Sequence, residues 1–81
     1  MADEVFEKVK EIIVGRLSID PARVVPEAKI REDLQADSLD LVELIMDLED
    51  AFGISISEDE GRALTNVTVG EAVNYLIERL G

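Results

Sequence analysis

Cysteine and histidine are both absent from this chain of 81 residues. Without cysteine it can form no disulfide and offers no thiolate ligand for zinc. Without histidine it lacks the usual general base near neutral pH, so a Ser-His-Asp triad cannot be assembled from its own residues. We therefore expect a protein that is not an enzyme and holds no metal, in which any thiol or base chemistry comes from an attached group or a partner.

Positive charge is scarce as well. Lysine and arginine together number 8, against 19 aspartates and glutamates, which gives a formal net charge of −11. Nucleic acid binding depends on cationic neutralisation of phosphates, and anionic membrane surfaces disfavour acidic proteins for the same reason. The expected partners are therefore basic protein surfaces, with no nucleic acid among them.

Long hydrophobic runs are missing. No stretch approaches the roughly 20 apolar residues of a membrane span. The acidic start "MADEVFEKVK" lacks the apolar core of a signal peptide. We expect a cytoplasmic protein that does not insert into membranes and that is a monomer.

Aromatic residues make up only 4% of the chain, whereas hydrophobic residues make up 47%. That hydrophobic content suits a folded chain, so we expect residues 1–81 to form one small domain with an aliphatic core. The helical spacing of apolar residues predicts an all-α fold. It is a small bundle of three main helices plus one short helix, with a long packed loop between the first and second helices. The predicted helices cover about 3–17, 38–52, 58–64 and 69–80.

Helix-end signals support these bounds. They comprise one N-cap, two capping boxes and one glycine stop. In chain order they are Asp3 at the first helix, Gly53 after the second, Ser57 with Glu60 before the third, and Thr68 with Glu71 before the last. Within the long loop, Asp20 followed by Pro21 predicts a short helical turn.

The segment "DLQADSLDLVELIMDLEDAF", residues 33–52, places Ser38 at the mouth of an acidic and apolar helix. Serine is favoured at a helix start because its oxygen can satisfy an unpaired backbone amide, so a capping role explains the residue. The same position suits an attached phosphate, which free amides and the positive end of the helix dipole stabilise. The residues alone leave both interpretations open.

The second helix carries more apolar surface than one core-facing stripe requires. The residues able to face the core are Leu41, Leu44, Ile45, Leu48 and Phe52. A second stripe lies about 100° or more away; it consists of Leu39, Val42 and Met46, and the acids around it are Asp37, Asp40, Glu43, Asp47, Glu49 and Asp50. Such a bordered stripe is typical of a docking surface for a basic partner. A broad core face with solvated acids fits the spacing equally well.

The whole chain resembles the acyl carrier proteins. "LQADSLDLVELIMDLEDAF" is similar to the signature of that family, commonly Asp-Ser-Leu followed by an acidic, apolar helix. The first helix, the long connection, the short "SEDE" helix and the final "VGEAVNYL" resemble the family in order and spacing. The resemblance implies one acyl-carrier-like domain, a non-catalytic carrier of acyl intermediates in fatty-acid or related lipid or polyketide biosynthesis. It also implies 4′-phosphopantetheine, derived from coenzyme A and esterified to Ser38 through a phosphodiester, whose thiol holds the acyl group as a thioester.

The resemblance further implies roles for the residues around Ser38. Asp37 and Leu39 match the residues beside the modified serine. Val42, Glu43, Met46 and Glu49 match the partner-facing positions of the family. The acidic border adds Asp40, Asp47 and Asp50 to the expected partner-binding residues. The implied partners are a phosphopantetheinyl transferase (the holo-carrier synthase) and basic-surfaced ketosynthases, reductases, dehydratases and acyltransferases. The aliphatic residues expected to shift and admit an acyl chain are Leu44, Ile45, Leu48, Ile56, Leu64, Val67 and Ala72.

One position and one segment depart from the family pattern. The residue before Ala36 is usually glycine in the family and is Gln35 here, and "LTNVTVGEA" is about two residues longer than the common pattern. These departures leave open a specialised carrier as well as the main fatty-acid carrier.

Other classes compete with this interpretation. A peptidyl or aminoacyl carrier shares the arm chemistry but more often has glycine or histidine where this chain has Asp37. A purely structural helical bundle would explain the fold but leaves the second apolar stripe unused. An acidic helical interaction module is a further alternative of a different class. A calcium-binding loop of the EF-hand type could begin at Asp47, but Gly53 then falls seventh instead of sixth and Ala51 occupies the fifth position.

Overall fold

Within residues 2–81, the chain folds as four α-helices joined by one long and two short connections. The structure is a computed structural model that describes residues 2–81. The helices are α1 at Ala2–Leu17, α2 at Ser38–Phe52, α3 at Glu58–Thr65 and α4 at Val69–Leu80. The predicted bundle of three main helices and a short one is confirmed, and the predicted bounds of α2 and α4 agree with the structure. In the part of the chain that is described, no helix has the length and apolar character needed to cross a membrane.

Helix α1 begins earlier than the sequence predicts. It starts at Ala2, so Asp3 lies within the first turn and is not the N-cap; the prediction for Asp3 is wrong. Asp3 and Glu4 place two carboxylates in that turn, where the positive end of the helix dipole favours negative charge. Asp3 therefore supports the helix start through the dipole, without capping it.

The other end signals have their predicted roles. Gly53 ends α2 in the left-handed conformation, with a φ of 65° that costs a glycine no steric clash. The Ser57 hydroxyl accepts a hydrogen bond from the amide of Glu60, and the Thr68 hydroxyl accepts one from the amide of Glu71. Each glutamate carboxylate accepts from the amide of its capping residue in return. Both capping boxes are confirmed, and the first of them supports the start of α3, which has only 8 residues.

The long connection between α1 and α2 is packed, as predicted. It contains a short 3₁₀ turn at Pro21–Arg23, whose N-cap Asp20 accepts a hydrogen bond from the amide of Ala22 at 2.9 Å. Its buried apolar residues are Val24, Ala28, Ile30, Leu34 and Ala36. Their burial explains why a loop of this length holds one position in a small domain.

The same connection is hydrogen-bonded to the start of α4. The amide of Val69 donates to the carbonyl of Ala28 at 2.9 Å, and the amide of Gly70 donates to the carbonyl of Pro26 at 2.9 Å. A Cβ at Gly70 would lie 3.1 Å from that Pro26 oxygen, so glycine permits the close approach. These contacts hold in place the segment that leads into α2.

The core is aliphatic, as the composition predicts. Helix α1 packs against both α2 and α4, and the largest fully buried side chains are those of Val9, Ile13, Val24, Val69 and Leu76. Among the residues that the structure describes, no polar or charged residue is buried. The side chains that could carry chemistry therefore lie at the surface.

Candidate functional site

Asp37 caps α2, and Ser38 does not. The Asp37 backbone is extended, with φ of −85° and ψ of 179°, and its Oδ1 accepts a hydrogen bond from the amide of Asp40 at 2.8 Å. Asp40 completes the capping box, since its Oδ2 accepts from the amide of Asp37 at 3.4 Å. Aspartate caps a helix about as well as serine does, and Asp40 makes the exchange reciprocal. The capping role that the sequence allowed for Ser38 is therefore wrong.

The Ser38 hydroxyl is left free by this arrangement. Ser38 is the first residue of α2 and is exposed, and its side chain has no hydrogen-bond partner within residues 2–81. The hydroxyls that are engaged elsewhere in the chain are those of Ser57, Thr65, Thr68 and Tyr75. Ser38 thus combines a reachable oxygen with the positive end of a helix dipole, which favours a bound phosphate.

A cavity of about 450 Å³, partly open to solvent, lies between α2 and α3 beside Ser38. Its apolar lining is formed by Leu41, Val42, Ile45 and Ile56, and its polar lining by Arg31, Ser38, Ser57, Glu58, Arg62 and Thr65. Gly61 completes the wall; a Cβ at this position would lie 3.9 Å from two side-chain atoms of Ile45. The missing side chain therefore leaves open a space that larger residues would fill.

The cavity contains some of the predicted pocket residues and not others. Ile45 and Ile56 line it, whereas Leu44, Leu48, Leu64 and Ala72 are buried in the closed core and Val67 is half-buried outside the lining. The lining residues that sequence reasoning missed are Arg31, Leu41, Val42, Ser57, Glu58, Gly61, Arg62 and Thr65. Helical spacing identifies a buried side of α2 but cannot tell which part of that side faces α3.

The second apolar stripe of α2 is exposed. Leu39, Val42 and Met46 have 66%, 58% and 58% of their surface accessible, and all three are large hydrophobic side chains. Exposed apolar surface of this kind next to a helix start is typical of an interaction site. We call these three residues the docking stripe.

Arg16 of α1 binds two of the acids beside the docking stripe. Its Nε and Nη2 donate to the two carboxylate oxygens of Asp47 at 2.8 and 2.9 Å, and its Nη1 donates to Glu43 Oε2 at 2.6 Å. The hydrogen bond from Arg16 holds the pKa of Asp47 below its ordinary value, and the same contact raises the pKa of Arg16. Sequence reasoning missed Arg16, because its partners lie 27 and 31 residues further along the chain.

Three of the remaining acids around the stripe are also engaged. Asp37 and Asp40 form the capping box, and Glu49 Oε2 accepts a hydrogen bond from the amide of Ile56 at 2.7 Å. Asp50 is exposed and has no such partner within residues 2–81. The acidic border therefore has structural contacts in addition to its charge.

The first half of the segment considered as a calcium loop is helical. Asp47, Glu49 and Asp50 all lie inside α2, which continues to Phe52. A helix cannot wrap these carboxylates around one ion as an EF-hand loop does. An EF-hand loop that begins at Asp47 is therefore ruled out.

Comparison with known proteins agrees with this site. The family described as the phosphopantetheine attachment site matches residues 7–76, a range that includes Ser38. An acyl carrier protein from Rubrobacter xylanophilus is 54% identical over 76 residues, covering 94% of this chain and 91% of that protein. A solved structure of the acyl carrier protein from Enterococcus faecalis superposes with a TM-score of 0.77 at 36% identity, covering 96% of both chains. The chain thus belongs to the acyl carrier protein family, whose members carry acyl groups on a covalently attached 4′-phosphopantetheine.

Proposed function

We propose that Ser38 is the residue that bears the 4′-phosphopantetheine arm. The observation that carries this assignment is the free, exposed hydroxyl of Ser38 at the mouth of α2, on the rim of the cavity. The Asp37 carboxylate caps the helix and leaves that hydroxyl unused. A transferase can then reach the oxygen without breaking a hydrogen bond of the folded protein.

The surrounding residues fit this group. The attached arm supplies the thiol that the chain itself lacks, because there is no cysteine in the sequence. The start of α2 favours a phosphate on Ser38 through its dipole. The adjoining cavity is lined by both polar and aliphatic side chains.

The cavity is the expected place for the acyl cargo. Leu41, Val42, Ile45 and Ile56 present an aliphatic wall beside the attachment residue. An acyl chain packed there leaves water and contributes up to about 0.8 kcal/mol per buried methylene. This chain therefore acts as a carrier that shields its cargo and leaves the catalysis to its partners.

The docking stripe is the expected contact for those partners. Leu39, Val42 and Met46 supply apolar surface, while the acids around them attract a basic protein over longer distances. The partner classes are a phosphopantetheinyl transferase and acyl-processing enzymes with basic surfaces, such as ketosynthases, reductases, dehydratases and acyltransferases. Because Arg16 neutralises part of the charge of Glu43 and Asp47, we expect the long-range attraction to depend more on the acids that have no cationic partner within residues 2–81. These acids are Asp37, Asp40, Glu49 and Asp50.

The decisive experiment is arm transfer from coenzyme A by a phosphopantetheinyl transferase, followed by intact mass. The wild-type chain should gain the mass of one arm, and Ser38→Ala should gain none while remaining folded by circular dichroism. Ser55→Ala is a matched control, since Ser55 is exposed and lies outside a helix start; it should accept one arm. Transfer to Ser38→Ala would show that another residue is the attachment site.

A further inference from the structure

The five arginines of the chain divide into two groups. Three have partners within the protein: Arg16 binds Asp47 and Glu43, Arg23 donates to the carbonyl of Asp33 at 2.7 Å, and Arg79 contacts Glu60, Tyr75 and the carbonyl of Ser55. The side chains of the other two, Arg31 and Arg62, have no hydrogen bond or ion pair within residues 2–81. This is unexpected in a chain with 19 acidic residues.

Both unpaired arginines line the cavity that opens at Ser38. Arg31 belongs to the connection that precedes α2, and Arg62 belongs to α3, so they come from different elements. Only one acid, Glu58, is part of the same lining. The lining of this cavity therefore carries two positive charges and one negative charge, in a protein whose net charge is −11.

The helix starts add to that local charge. Ser38 begins α2, Glu58 begins α3, and both residues line the cavity. The N-terminus of each helix carries a partial positive charge. Acidic residues in the first turns, Asp40 in α2 and Glu58, Asp59 and Glu60 in α3, offset part of that charge. The two guanidinium groups are therefore the main attraction for an anion with several oxygen atoms at this cavity.

We propose that Arg31 and Arg62 bind the phosphodiester of the arm on Ser38 and hold the arm against the cavity. This inference rests on the proposed attachment at Ser38. The phosphodiester is the favoured anion because it is bonded directly to a residue of the cavity rim, whereas the end of an acyl cargo lies beyond the whole arm. Guanidinium groups bind phosphate oxygens through paired N–H donors, which lysine cannot do in the same geometry.

The test uses the full-length chain loaded with its arm, in wild-type form and as the Arg31→Gln/Arg62→Gln variant. A Lys8→Gln/Lys10→Gln variant is the control, because it removes the same number of charges from α1, away from the cavity. Excess transferase completes the loading, and intact mass verifies it. Two quantities are compared: the ³¹P chemical shift of the phosphodiester and the difference in melting temperature between loaded and unloaded protein.

We expect the ³¹P resonance to move in the double arginine variant and to stay in place in the lysine control. Attachment of the arm adds one negative charge. In the double arginine variant, attachment should therefore lower the melting temperature by about 2–4 °C more than it does in wild type. Added salt should reduce that difference. An unchanged ³¹P shift together with an unchanged loading effect would overturn the inference while leaving the attachment at Ser38 intact.

A second set of samples distinguishes a carboxylate on the cargo from the phosphodiester. Loaded protein carries either a methyl-terminated or a carboxyl-terminated acyl chain of equal length, joined by a stable amide. If the arginine variant changes the relative stability of these two forms and leaves the ³¹P shift alone, the arginines bind cargo and the proposal is wrong. If the wild-type chain accepts no arm at Ser38, the proposed function itself fails.

Discussion

Two serines line the same cavity, one at the start of α2 and one at the start of α3, and their hydroxyls are used differently. Ser57 is the N-cap of α3, so its oxygen is occupied by the amide of Glu60 at 3.2 Å. Ser38 follows the N-cap of α2 by one residue, so its oxygen is free. A shift of one position relative to the helix start therefore separates a structural serine from one that is available for modification.

The largest expected effect concerns the cavity between these two serines. If the acyl chain enters it, the melting temperature of the loaded protein should rise with chain length and level off when the space is full. Six methylenes would contribute at most roughly 5 kcal/mol, reduced by the cost of opening a packed site. Thermal unfolding of a series of stable amide or thioether analogues measures this directly.

Gly61→Leu provides the matched variant for the chain-length series. Its side chain should fill the cavity against Ile45, so the gain in stability per methylene should shrink and the plateau should come earlier. Gly61→Ala is the control, since its Cβ meets Ile45 at an ordinary contact distance of 3.9 Å and alanine also favours the helix. Chain-length dependence that is identical in both variants would place the cargo elsewhere.

The next effect is the cost of removing each helix cap. Asp37→Ala and Ser57→Ala should each lose about 1 kcal/mol of unfolding free energy, because each leaves a helix amide without its acceptor. Ser38→Ala should stay within about 0.5 kcal/mol of wild type, since no described contact is lost. Urea unfolding of the three variants measures the difference. A loss at Ser38 as large as that at Ser57 would mean that the hydroxyl has a structural role after all.

The backbone that leads into α2 is strained at Gln35, the position where the family usually has glycine. Gln35 has a φ of 56°, in the left-handed region that favours glycine. Gln35→Gly should therefore stabilise the protein by about 0.5–1 kcal/mol, as the relief of the left-handed conformation outweighs the added chain entropy of glycine. Gly15→Ala in α1 is a useful reference, because nothing lies within 4 Å of the added Cβ and the change should stabilise through helix propensity alone. A Gln35→Gly variant less stable than wild type would contradict this account.

Helix bounds could be predicted because their signals are local. Gly53 ends α2, and the capping boxes at Ser57 and Thr68 mark the starts of α3 and α4. Each signal lies within a few residues of the helix end that it marks. The sequence does not show whether Asp37 or Ser38 is the N-cap of α2. The two residue types cap almost equally well, and only the reciprocal contact with Asp40 settles the question.

Contacts between distant parts of the chain could not be predicted. Arg16 meets Glu43 and Asp47 only because α1 packs against α2. Arg31 and Arg62 line one cavity only because the connection and α3 approach Ser38 from different elements. Periodicity fixes which side of a helix is apolar, but the identity of its neighbour depends on the assembled bundle.

The smallest expected effect is a pH dependence at the start of α3. Glu60 belongs to the Ser57 capping box and also accepts a hydrogen bond from the Tyr75 hydroxyl at 2.6 Å. That bond, together with the contacts to Ser57, lowers the pKa of Glu60 below its ordinary value. A lowered pKa in the folded state stabilises the protein above the unfolded pKa of about 4.3, and this stabilisation is lost as pH falls through the folded value.

Tyr75→Phe tests this at the α3 start. It should raise the pKa of Glu60 toward its ordinary value, because the hydrogen bond that contributes most to the shift is removed. NMR titration of the Glu60 side-chain carboxylate carbon measures the pKa. Hydrogen exchange of the Ser57 amide, which donates to Glu60 Oε1 at 3.2 Å, reports whether the capping box is intact. In the variant, that amide should lose protection at a higher pH than in wild type.

The free hydroxyl of Ser38 makes no contact with this network, so arm transfer to the Tyr75→Phe variant at neutral pH should proceed as in wild type. A slower transfer would show that the two helix starts are coupled through the cavity they share.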